Sequence, residues 1–353
     1  MLYNTKNPHG GDIYSGNITL DFSSSINPLG TPESVKDAVR RAAERIHVYP
    51  DPYCRRLTES VAEYENIKKE NIIFGAGASE LIYAYCGALL PGRAVLTAPT
   101  FSEYERALGR AGCEVYRYEL ARENGFALGE GFLDFIKEKS PDAVFLCNPN
   151  NPTGRLISER TLIKILDLCV DTGTAFFLDE CFLDLTNGGE SLKRYISECS
   201  GLFILKAFTK NFGMAGARLG YALTSDSELI SKMSCEVQPW NVSVISQEAG
   251  LAALSETDFL KSARSLIEIQ RSWLKKELEG LGFWVCPSDA NFLMFYGEEG
   301  LHIPLKEQGI AIRNCADFHG LGEGWYRASV RIQKDNEALI KALTNAVLEK
   351  RYG

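Results

Sequence analysis

The sequence lacks the features that mark several other classes of protein. No apolar run approaches the roughly 20 residues of a membrane-spanning helix, so we expect no membrane insertion. The 10 cysteines stand singly without a CxxC pair, which gives no zinc-site spacing and argues against a disulfide framework in a chain of 353 residues. The formal net charge of -8 argues against a nucleic-acid-binding surface.

The opening of the sequence also lacks a targeting signal. The segment MLYNTKNPHGGDIYSGN is polar and glycine-rich, with neither the basic nor the apolar part of a secretory signal. Together with the unpaired cysteines, this predicts a cytoplasmic protein whose thiols are reduced. The hydrophobic fraction of 45% and the charged fraction of 24% are those of an ordinary globular protein.

Short apolar runs alternate with helical patterns through the middle of the chain. The predicted strands are Ile72–Ala76, Ala94–Ala98, Glu114–Tyr118, Ala143–Cys147, Thr174–Leu178, Leu202–Lys206 and Leu219–Leu223. The helices predicted between them include Glu80–Leu90, Phe101–Ala111, Ser158–Asp171 and Ser191–Cys199. This alternation predicts an α/β fold with a mainly parallel sheet covered on both faces.

The pattern changes after about residue 245. The elements predicted there are a long helical stretch with possible breaks, Ser246–Leu281, the strands Phe292–Tyr296, Ile310–Asn314 and Tyr326–Ile332, and a last helix, Asn336–Lys350. Near the start, Pro32–Arg45 forms one further predicted helix. We therefore predict a large domain of residues 46–245 and a smaller α+β domain made of residues 1–45 and 246–353, although residues 1–45 could pack on either unit.

Ligands of open α/β sheets bind beyond the carboxyl ends of the strands, so the segments that follow the strands are candidates for a site. In FGAGASELI, Gly77, Ala78 and Ser79 end a strand and open a helix. Free backbone N–H groups, the helix dipole and a hydroxyl make this a candidate phosphate site. The alternative is a helix that is simply capped by Ser79.

Two further strand ends carry polar residues. The segment CNPNNPTG offers the amide side chain of Asn151, although a plain Asn/Pro turn is the alternative. Asp179 follows an apolar run, where a buried carboxylate needs a partner such as a protonated ring nitrogen. The alternative for Asp179 is a cap of the next element.

The segment AFTKNFGMAGARLGY carries a lysine between a buried-looking strand and a glycine-rich turn. A partly desolvated amine near other cations has a lowered pKa and can form an imine, which makes Lys210 a candidate nucleophile. Thr209 and Arg218 flank it and could hold a phosphate. Alone, Lys210 would read as a solvated surface cation; its spacing from Arg218 favours the functional interpretation.

Near the end of the chain, YRASVR places alternating side chains on one face of a strand. Arg327, Ser329 and Arg331 share that face, and two arginines there suit a carboxylate or a phosphate. The alternative is an edge strand that is protected from aggregation by its charges.

Taken in order, these segments resemble fold-type I enzymes that use pyridoxal 5′-phosphate (PLP), of the class I/II aminotransferase superfamily. The pieces that carry the resemblance are YPDP, GAGASE, PTFSEY, NPNNPTG, DECF, TKNFGMAGARLGY and RASVR, which span nearly the whole chain. The resemblance implies the aspartate aminotransferase-like fold, with a large PLP-binding domain and a smaller α+β domain.

The resemblance also implies roles for individual residues. Lys210 would carry PLP as a Schiff base and move the proton, Asp179 would pair with the pyridine N–H, and Asn151 would hydrogen-bond the ring oxygen O3′. The implied cofactor-binding residues are Gly77, Ala78, Ser79, Tyr104, Asn151, Asp179, Thr209, Lys210 and Arg218, with Tyr104 stacked on the ring. Tyr49, in YPDP, would reach the cofactor phosphate from a second subunit, which implies a homodimer.

One position departs from the aminotransferase pattern and refines the resemblance. Phe182 stands where aminotransferases of this type carry a tyrosine that donates to O3′. Together with HGGDIYSGN, DFSSSINPLG and Arg331, this makes the chain most similar to threonine-phosphate decarboxylases of cobalamin side-chain synthesis, and next to histidinol-phosphate aminotransferases. The residues then expected to bind the phosphorylated amino-acid substrate are His9, Gly10, Gly11, Asn27, Arg327 and Arg331, although His9–Gly11 could equally be a flexible terminus. A remote alternative is a binding protein that kept the fold without the chemistry.

Overall fold

The computed structural model describes residues 9–352, and the side chains of residues 9–348. Its strands are β1 Leu20–Asp21, β2 Ile72–Gly75, β3 Arg93–Ala98, β4 Glu114–Glu119, β5 Ala143–Cys147, β6 Ala175–Asp179, β7 Leu202–Ala207, β8 Gly220–Leu223, β9 Trp284–Val285, β10 Phe292–Tyr296, β11 Ile310–Ala311, β12 Arg313–Asn314 and β13 Trp325–Ser329. Its helices are α1 Glu33–Ala43, α2 Arg55–Glu65, α3 Ala78–Leu89, α4 Ser102–Arg110, α5 Gly131–Lys139, α6 Glu159–Thr172, α7 Phe208–Asn211, α8 Ser227–Glu236, α9 Val244–Leu254, α10 Phe259–Gly280, α11 His302–Glu307 and α12 Gln333–Tyr352.

The main sheet has seven strands in the order β2-β8-β7-β6-β5-β3-β4, and only β8 runs antiparallel to its neighbours. The central strands β5, β6 and β7 are almost wholly buried. A strand covered on both faces has no solvent side, which explains why these segments read as continuous apolar runs. The predicted α/β fold class is confirmed, and each of the seven predicted strands is present to within about one residue.

Successive side chains of the central strands enter two different cores. On β7, Leu202 and Ile204 belong to the core on one face of the sheet, whereas Phe203 and Leu205 belong to the core on the other. This is the two-residue period of a pleated strand. The same period places Lys206 on the first face and Ala207 on the second, at the carboxyl end of the strand.

A second sheet of four antiparallel strands, β12-β13-β10-β9, has its own apolar core with side chains from α10 and α12. The N-terminal strand β1 pairs in parallel with β11. Helix α1 packs against α9, and its Val35 joins a core of the main sheet. The predicted domain bounds stay a prediction.

Four predicted elements differ in detail. The predicted helix Ser191–Cys199 contains only a 3-10 turn, Leu192–Tyr195. The predicted helix Ser246–Leu281 is broken between α9 and α10, where the Ser255 hydroxyl donates to the backbone oxygen of Ala252 at 2.7 Å. The run Ile310–Asn314 divides into β11 and β12 because its first half pairs with β1 and its second half with β13. The predicted strand Tyr326–Ile332 ends at Ser329, before Arg331.

Across residues 9–352, no helix is long and apolar enough to cross a membrane. The same residues contain no cluster of His, Cys, Asp and Glu side chains that could hold a metal ion. Seven of the ten cysteines are buried, and none of the ten forms a disulfide.

Candidate active site

A cavity of about 330 Å³ lies at the carboxyl ends of β5, β6 and β7, between the main sheet and the four-stranded sheet. Its volume suits a small-molecule ligand. Most of the predicted site residues converge there from separate segments. Those that line the cavity are His9, Gly10, Ala78, Ser79, Tyr104, Asn151, Asp179, Thr209, Lys210, Arg218 and Arg327.

Lys210 lies in the short helix α7, which follows β7, and its Nζ atom is 5.6 Å from the centre of the Phe182 ring. Burial, with Arg327 and Arg218 nearby, lowers the pKa of the Lys210 amine to about 8. A substantial fraction of the amine is therefore neutral near pH 8 and able to act as a nucleophile. Reading Lys210 as a solvated surface cation is wrong.

Asp179 ends β6 with a buried carboxylate. Its Oδ2 accepts a hydrogen bond of 2.6 Å from the Tyr104 hydroxyl, and its Oδ1 accepts one of 2.8 Å from the backbone N–H of Cys181. Burial raises the pKa of Asp179. Such a carboxylate is well suited to a cationic partner, because a positive charge would offset the cost of its desolvation.

The start of α3 forms an anion site with Arg218. Helix α3 begins at Ala78 after Gly77, so Ser79 lies inside the first turn and is not its N-cap residue. A Cβ atom on Gly77 would lie 2.6 Å from the guanidinium of Arg218, which shows how closely that cation approaches the helix start. Thr209 also lines the cavity. Free N–H groups, the helix dipole, hydroxyls and an arginine fit a phosphate.

Arg327 enters the cavity from β13, which lies between β12 and β10 and is therefore not an edge strand. Its Nη1 donates to Asn151 Oδ1, and its Nη2 donates to the backbone oxygen of Ser23 at 2.9 Å. Within the described part of the chain its Nε has no hydrogen-bond partner. Burial lowers the pKa of Arg327 to about 10, so the guanidinium stays charged at neutral pH.

Sequence analysis missed a second arginine, Arg313, on the neighbouring strand β12. The strand register pairs Arg313 directly with Arg327, and both side chains line the cavity. Arg313 Nη2 donates to both carboxylate oxygens of Asp317, at 2.7 and 2.8 Å, and its guanidinium lies 5.1 Å from the Phe318 ring centre. The sequence signal was the arginine in the predicted strand Ile310–Asn314, but its strand partner could not be known.

Glu103 is a second residue that sequence analysis missed. His9 Nε2 lies 2.6 Å from Glu103 Oε1, while Tyr83 and Arg106 donate to the same carboxylate at 2.8 and 3.0 Å. Burial alone would raise the pKa of Glu103, but these hydrogen bonds outweigh it and hold the pKa below its usual value. The carboxylate thus anchors the His9 segment at the cavity wall.

Several predicted residues lie outside the cavity wall. Asn27 donates from its backbone to the oxygen of Lys210 at 3.1 Å and from its side chain to the oxygen of Asn211 at 2.7 Å, so it holds the α7 turn. Arg331, beyond the end of β13, donates to Asp335 and to the backbone of Asp21. The substrate contacts expected of Asn27 and Arg331 stay predictions.

The other predicted residues outside the wall are Gly77, Gly11 and Tyr49. Gly77 lies behind the anion site, and the N–H of Gly11 donates to Ser23 Oγ at 2.8 Å. Tyr49 is 76% exposed, and its ring centre lies 4.7 Å from that of Trp240. Its contact with the cofactor of a second subunit stays a prediction.

Comparison with known proteins identifies the family. The model of the family "Aminotransferase class I and II" matches residues 17–343. The threonine-phosphate decarboxylase of Salmonella typhimurium is 33% identical over 98% of this chain and 98% of its own. The histidinol-phosphate aminotransferase of Clostridium acetobutylicum is 31% identical, with a TM-score of 0.86 over 94% of this chain and 99% of its own.

A more distant solved structure confirms the expected fold. The aspartate aminotransferase of Thermus thermophilus is 24% identical and has a TM-score of 0.79 over 93% of this chain and 91% of its own. The residues that carried the sequence resemblance also meet at one cavity. The chain therefore belongs to the class I and II aminotransferase family.

Proposed function

We propose that this protein binds PLP on Lys210 and decarboxylates L-threonine O-3-phosphate to (R)-1-aminopropan-2-yl phosphate, for cobalamin synthesis. The observation that carries the proposal is the Arg313–Arg327 pair on adjacent strands, in the same cavity as Lys210. Two arginines near one amine suit a substrate with two anionic groups, here a carboxylate and a phosphate. The relative from Salmonella typhimurium, a threonine-phosphate decarboxylase, adds support.

The residues around Lys210 fit the cofactor. Arg218, Thr209 and the start of α3 would hold its phosphate, Asp179 would pair with its protonated ring nitrogen, and Asn151 would donate to O3′. When bound, PLP supplies an electron sink for the bond that breaks at the substrate α-carbon. The Asp179 carboxylate would exchange its hydrogen bond from Tyr104 for the ring N–H, so that Tyr104 is free to lie against the ring.

Lys210 would return the proton to the substrate after CO₂ has left. Its pKa of about 8 allows the amine to hold a proton at neutral pH and to release it to a carbon atom without a large energetic penalty. The reaction balances, because the carboxylate leaves as CO₂ and one proton replaces it on the α-carbon.

The arginines would orient the substrate. Arg327 is the deeper of the two and is buried, whereas the Arg313 side chain is 12% exposed and also contacts Asp317. We infer that the anchored phosphate holds the carboxylate in the orientation needed for cleavage, so that binding energy remote from the reacting bond is used in the transition state. His9, placed by Glu103, adds a further polar contact at the same wall.

Phe182 distinguishes the decarboxylase proposal from the main alternative. Its ring is packed on Phe292 at 5.1 Å and carries no hydroxyl toward Lys210. Histidinol-phosphate aminotransferase activity is favoured instead by the 31% identity to the enzyme of Clostridium acetobutylicum. A binding protein without chemistry is disfavoured, because Lys210, Asp179 and Asn151 all line the cavity.

We also propose a cytoplasmic homodimer. Exposed apolar side chains cluster near Tyr49 in the chain: Ile46, Val48 and Tyr53 are 68%, 55% and 70% exposed, and Trp240 packs on Tyr49. An exposed apolar patch of this kind is typical of an interaction surface. The ten cysteines, none in a disulfide, suit a reducing compartment.

One incubation tests the proposed activity. The PLP-loaded protein is mixed with L-threonine O-3-phosphate, and the products are followed by phosphorus NMR and CO₂ detection. We expect CO₂ together with a new aminopropanol phosphate signal. If there is no turnover, and a parallel tube shows amino transfer from histidinol phosphate to 2-oxoglutarate, the protein is the aminotransferase and the proposal is wrong.

A further inference from the structure

A buried charge cluster lies on the face of the main sheet opposite the cavity, and the proposed function does not use it. Its centre is Lys206 of β7, whose side chain is only 3% exposed. Lys206 Nζ lies 3.1 Å from Asp184, 3.4 Å from Glu65 and 3.9 Å from Glu180. Burying so many charges carries a desolvation cost, so such a cluster adds little to stability compared with an apolar core.

The cluster is adjacent in the chain to both key residues of the cavity. Glu180 directly follows Asp179, and Asn211 directly follows Lys210. Asn211 Nδ2 donates to Asp184 Oδ2 at 2.7 Å. The side chains that follow Asp179 and Lys210 therefore both reach the region around Lys206, on the side of the sheet away from the ligand.

The charges are arranged around the lysine as a connected network. Glu65 of α2 contacts Lys206 and also accepts a 2.7 Å hydrogen bond from Lys193 and one from the Tyr221 hydroxyl. Burial alone would lower the pKa of Lys206, but the carboxylates of Asp184, Glu65 and Glu180 outweigh it and raise the pKa well above its usual value. Lys206 is thus a permanent cation at physiological pH.

The turn that carries Lys210 needs such support. Helix α7 has only four residues, which is too short to be stable through its own hydrogen bonds. Asn27 holds its backbone from the N-terminal segment, at the oxygens of Lys210 and Asn211. Asp184 holds the Asn211 side chain from the other side of the sheet.

We propose that Lys206 and Asp184 are positioning residues, whose ion pair holds Asn211 and so fixes the Lys210 amine relative to Asp179. The inference rests on the proposed attachment of PLP to Lys210. The pair contacts neither the substrate nor the cofactor; it acts through the α7 turn. If the link is cut, the Lys210 amine gains freedom to move away from Arg327 and from its desolvated position.

The main test uses Asn211→Ala and Asp184→Ala in the PLP-loaded protein. Asn211→Ala removes the link but leaves the Lys206–Asp184 ion pair, so it keeps the test valid if Asp184→Ala fails to fold. The matched control is Lys193→Met, because Lys193 also binds Glu65 at 2.7 Å but contacts neither Asp184 nor Asn211. The readouts are the pH midpoint of the visible cofactor band, the Kd for PLP and the Tm of the cofactor-free protein.

We expect both variants to move the pH midpoint upward by about half a unit, because Lys210 regains solvent and loses its cationic neighbour. The Kd for PLP should rise on the order of tenfold, because a displaced amine no longer meets the cofactor in the geometry that attachment needs. The control should leave the midpoint and Kd unchanged. A Tm loss without these changes, or the same changes in Lys193→Met, would overturn the inference.

Failure of the proposed function is recognised separately in the wild-type protein. Borohydride reduction followed by mass spectrometry shows whether PLP is fixed on Lys210. If the wild type shows no visible band and no adduct, the proposed function is wrong and this inference fails with it. If the wild type shows both, and the two variants match it in midpoint and Kd, the positioning role alone is wrong.

Discussion

Two lysines four residues apart in the chain, Lys206 and Lys210, occupy opposite faces of the same sheet. Lys206 is surrounded by carboxylates, which raise its pKa well above the usual value. For Lys210, burial together with Arg327 outweighs the influence of the Asp21 carboxylate and lowers the pKa to about 8. The comparison shows that burial does not by itself make a lysine reactive, since the charges of its neighbours decide whether it becomes a structural cation or a nucleophile.

The largest effect is expected when the Lys210 side chain is removed. Lys210→Ala should reduce turnover of the phosphorylated amino acid by more than about 10⁴-fold, because the variant lacks both the cofactor attachment and the proton donor. Steady-state kinetics and loss of the visible cofactor band measure this. Lys261→Arg, at an exposed lysine outside the cavity, is the control. Near-normal turnover in Lys210→Ala would refute the assignment.

The second largest effect is expected when the buried charge of Lys206 is removed. Lys206→Met should destabilise the protein by about 3–5 kcal/mol, because it leaves buried carboxylates without their cation. Urea unfolding of the cofactor-free protein measures the change. Lys210→Met makes the same change of side chain at a site where the neighbouring charges are cations. It should lower the free energy of unfolding far less. Equal losses for the two variants would show that the lysines do not differ in the way described.

A third substitution removes the cation beside Lys210 and tests whether that cation helps to lower the pKa of the amine. Arg327→Met should cost about 2–4 kcal/mol of transition-state stabilisation, seen as a lower kcat/KM. It should also raise the pKa of Lys210 from about 8, because Arg327 is one of the groups that lower it. Because Lys210 is proposed to donate a proton during turnover, the alkaline limb of the pH profile should therefore move to higher pH. An unmoved limb would mean that burial alone sets this pKa.

The smallest effect is the dependence of stability on pH. The folded protein lowers the pKa of Lys210 below that of the unfolded chain, so between about pH 8 and pH 10 the unfolded state binds more protons and stability rises with pH. We compare the free energy of unfolding of the wild type with that of Lys210→Met. The difference between the two should rise by about 1–2 kcal/mol from pH 8 to pH 9.5. Taking the difference cancels the titration of the buried cysteines. Lys206 contributes the opposite sign, a loss, but only above its unfolded pKa.

The sequence predicted the main sheet, and it predicted the cavity residues that directly follow the central strands. The central strands are buried on both faces, so their apolar runs were visible without knowledge of their neighbours. Asp179, Asn151 and Lys210 follow such strands directly, and the common direction of parallel strands brought them to one edge. The local sequence pattern was therefore sufficient to predict these strands and the residues at their carboxyl ends.

The cavity wall could not be predicted in the same way. Arg313 meets Arg327 only because β12 pairs with β13, and no local pattern encodes that register. Asn27 donates to the backbone oxygens of Lys210 and Asn211, and Asn211 is 184 residues away in the sequence. Its expected contact with the substrate stays a prediction. Contacts between distant segments decide these cases, and one sequence contains little information on them.

The pairing of β1 with β11 has a consequence for biosynthesis. Leu20 and Asp21 leave the ribosome long before their strand partners, Ile310 and Ala311. The wall formed by His9, Gly10 and Ser23 therefore lacks its support while the main sheet is already able to fold. A nascent chain could collapse around its central strands early, yet it would acquire a closed ligand chamber only after Ile310 and Ala311 have been made.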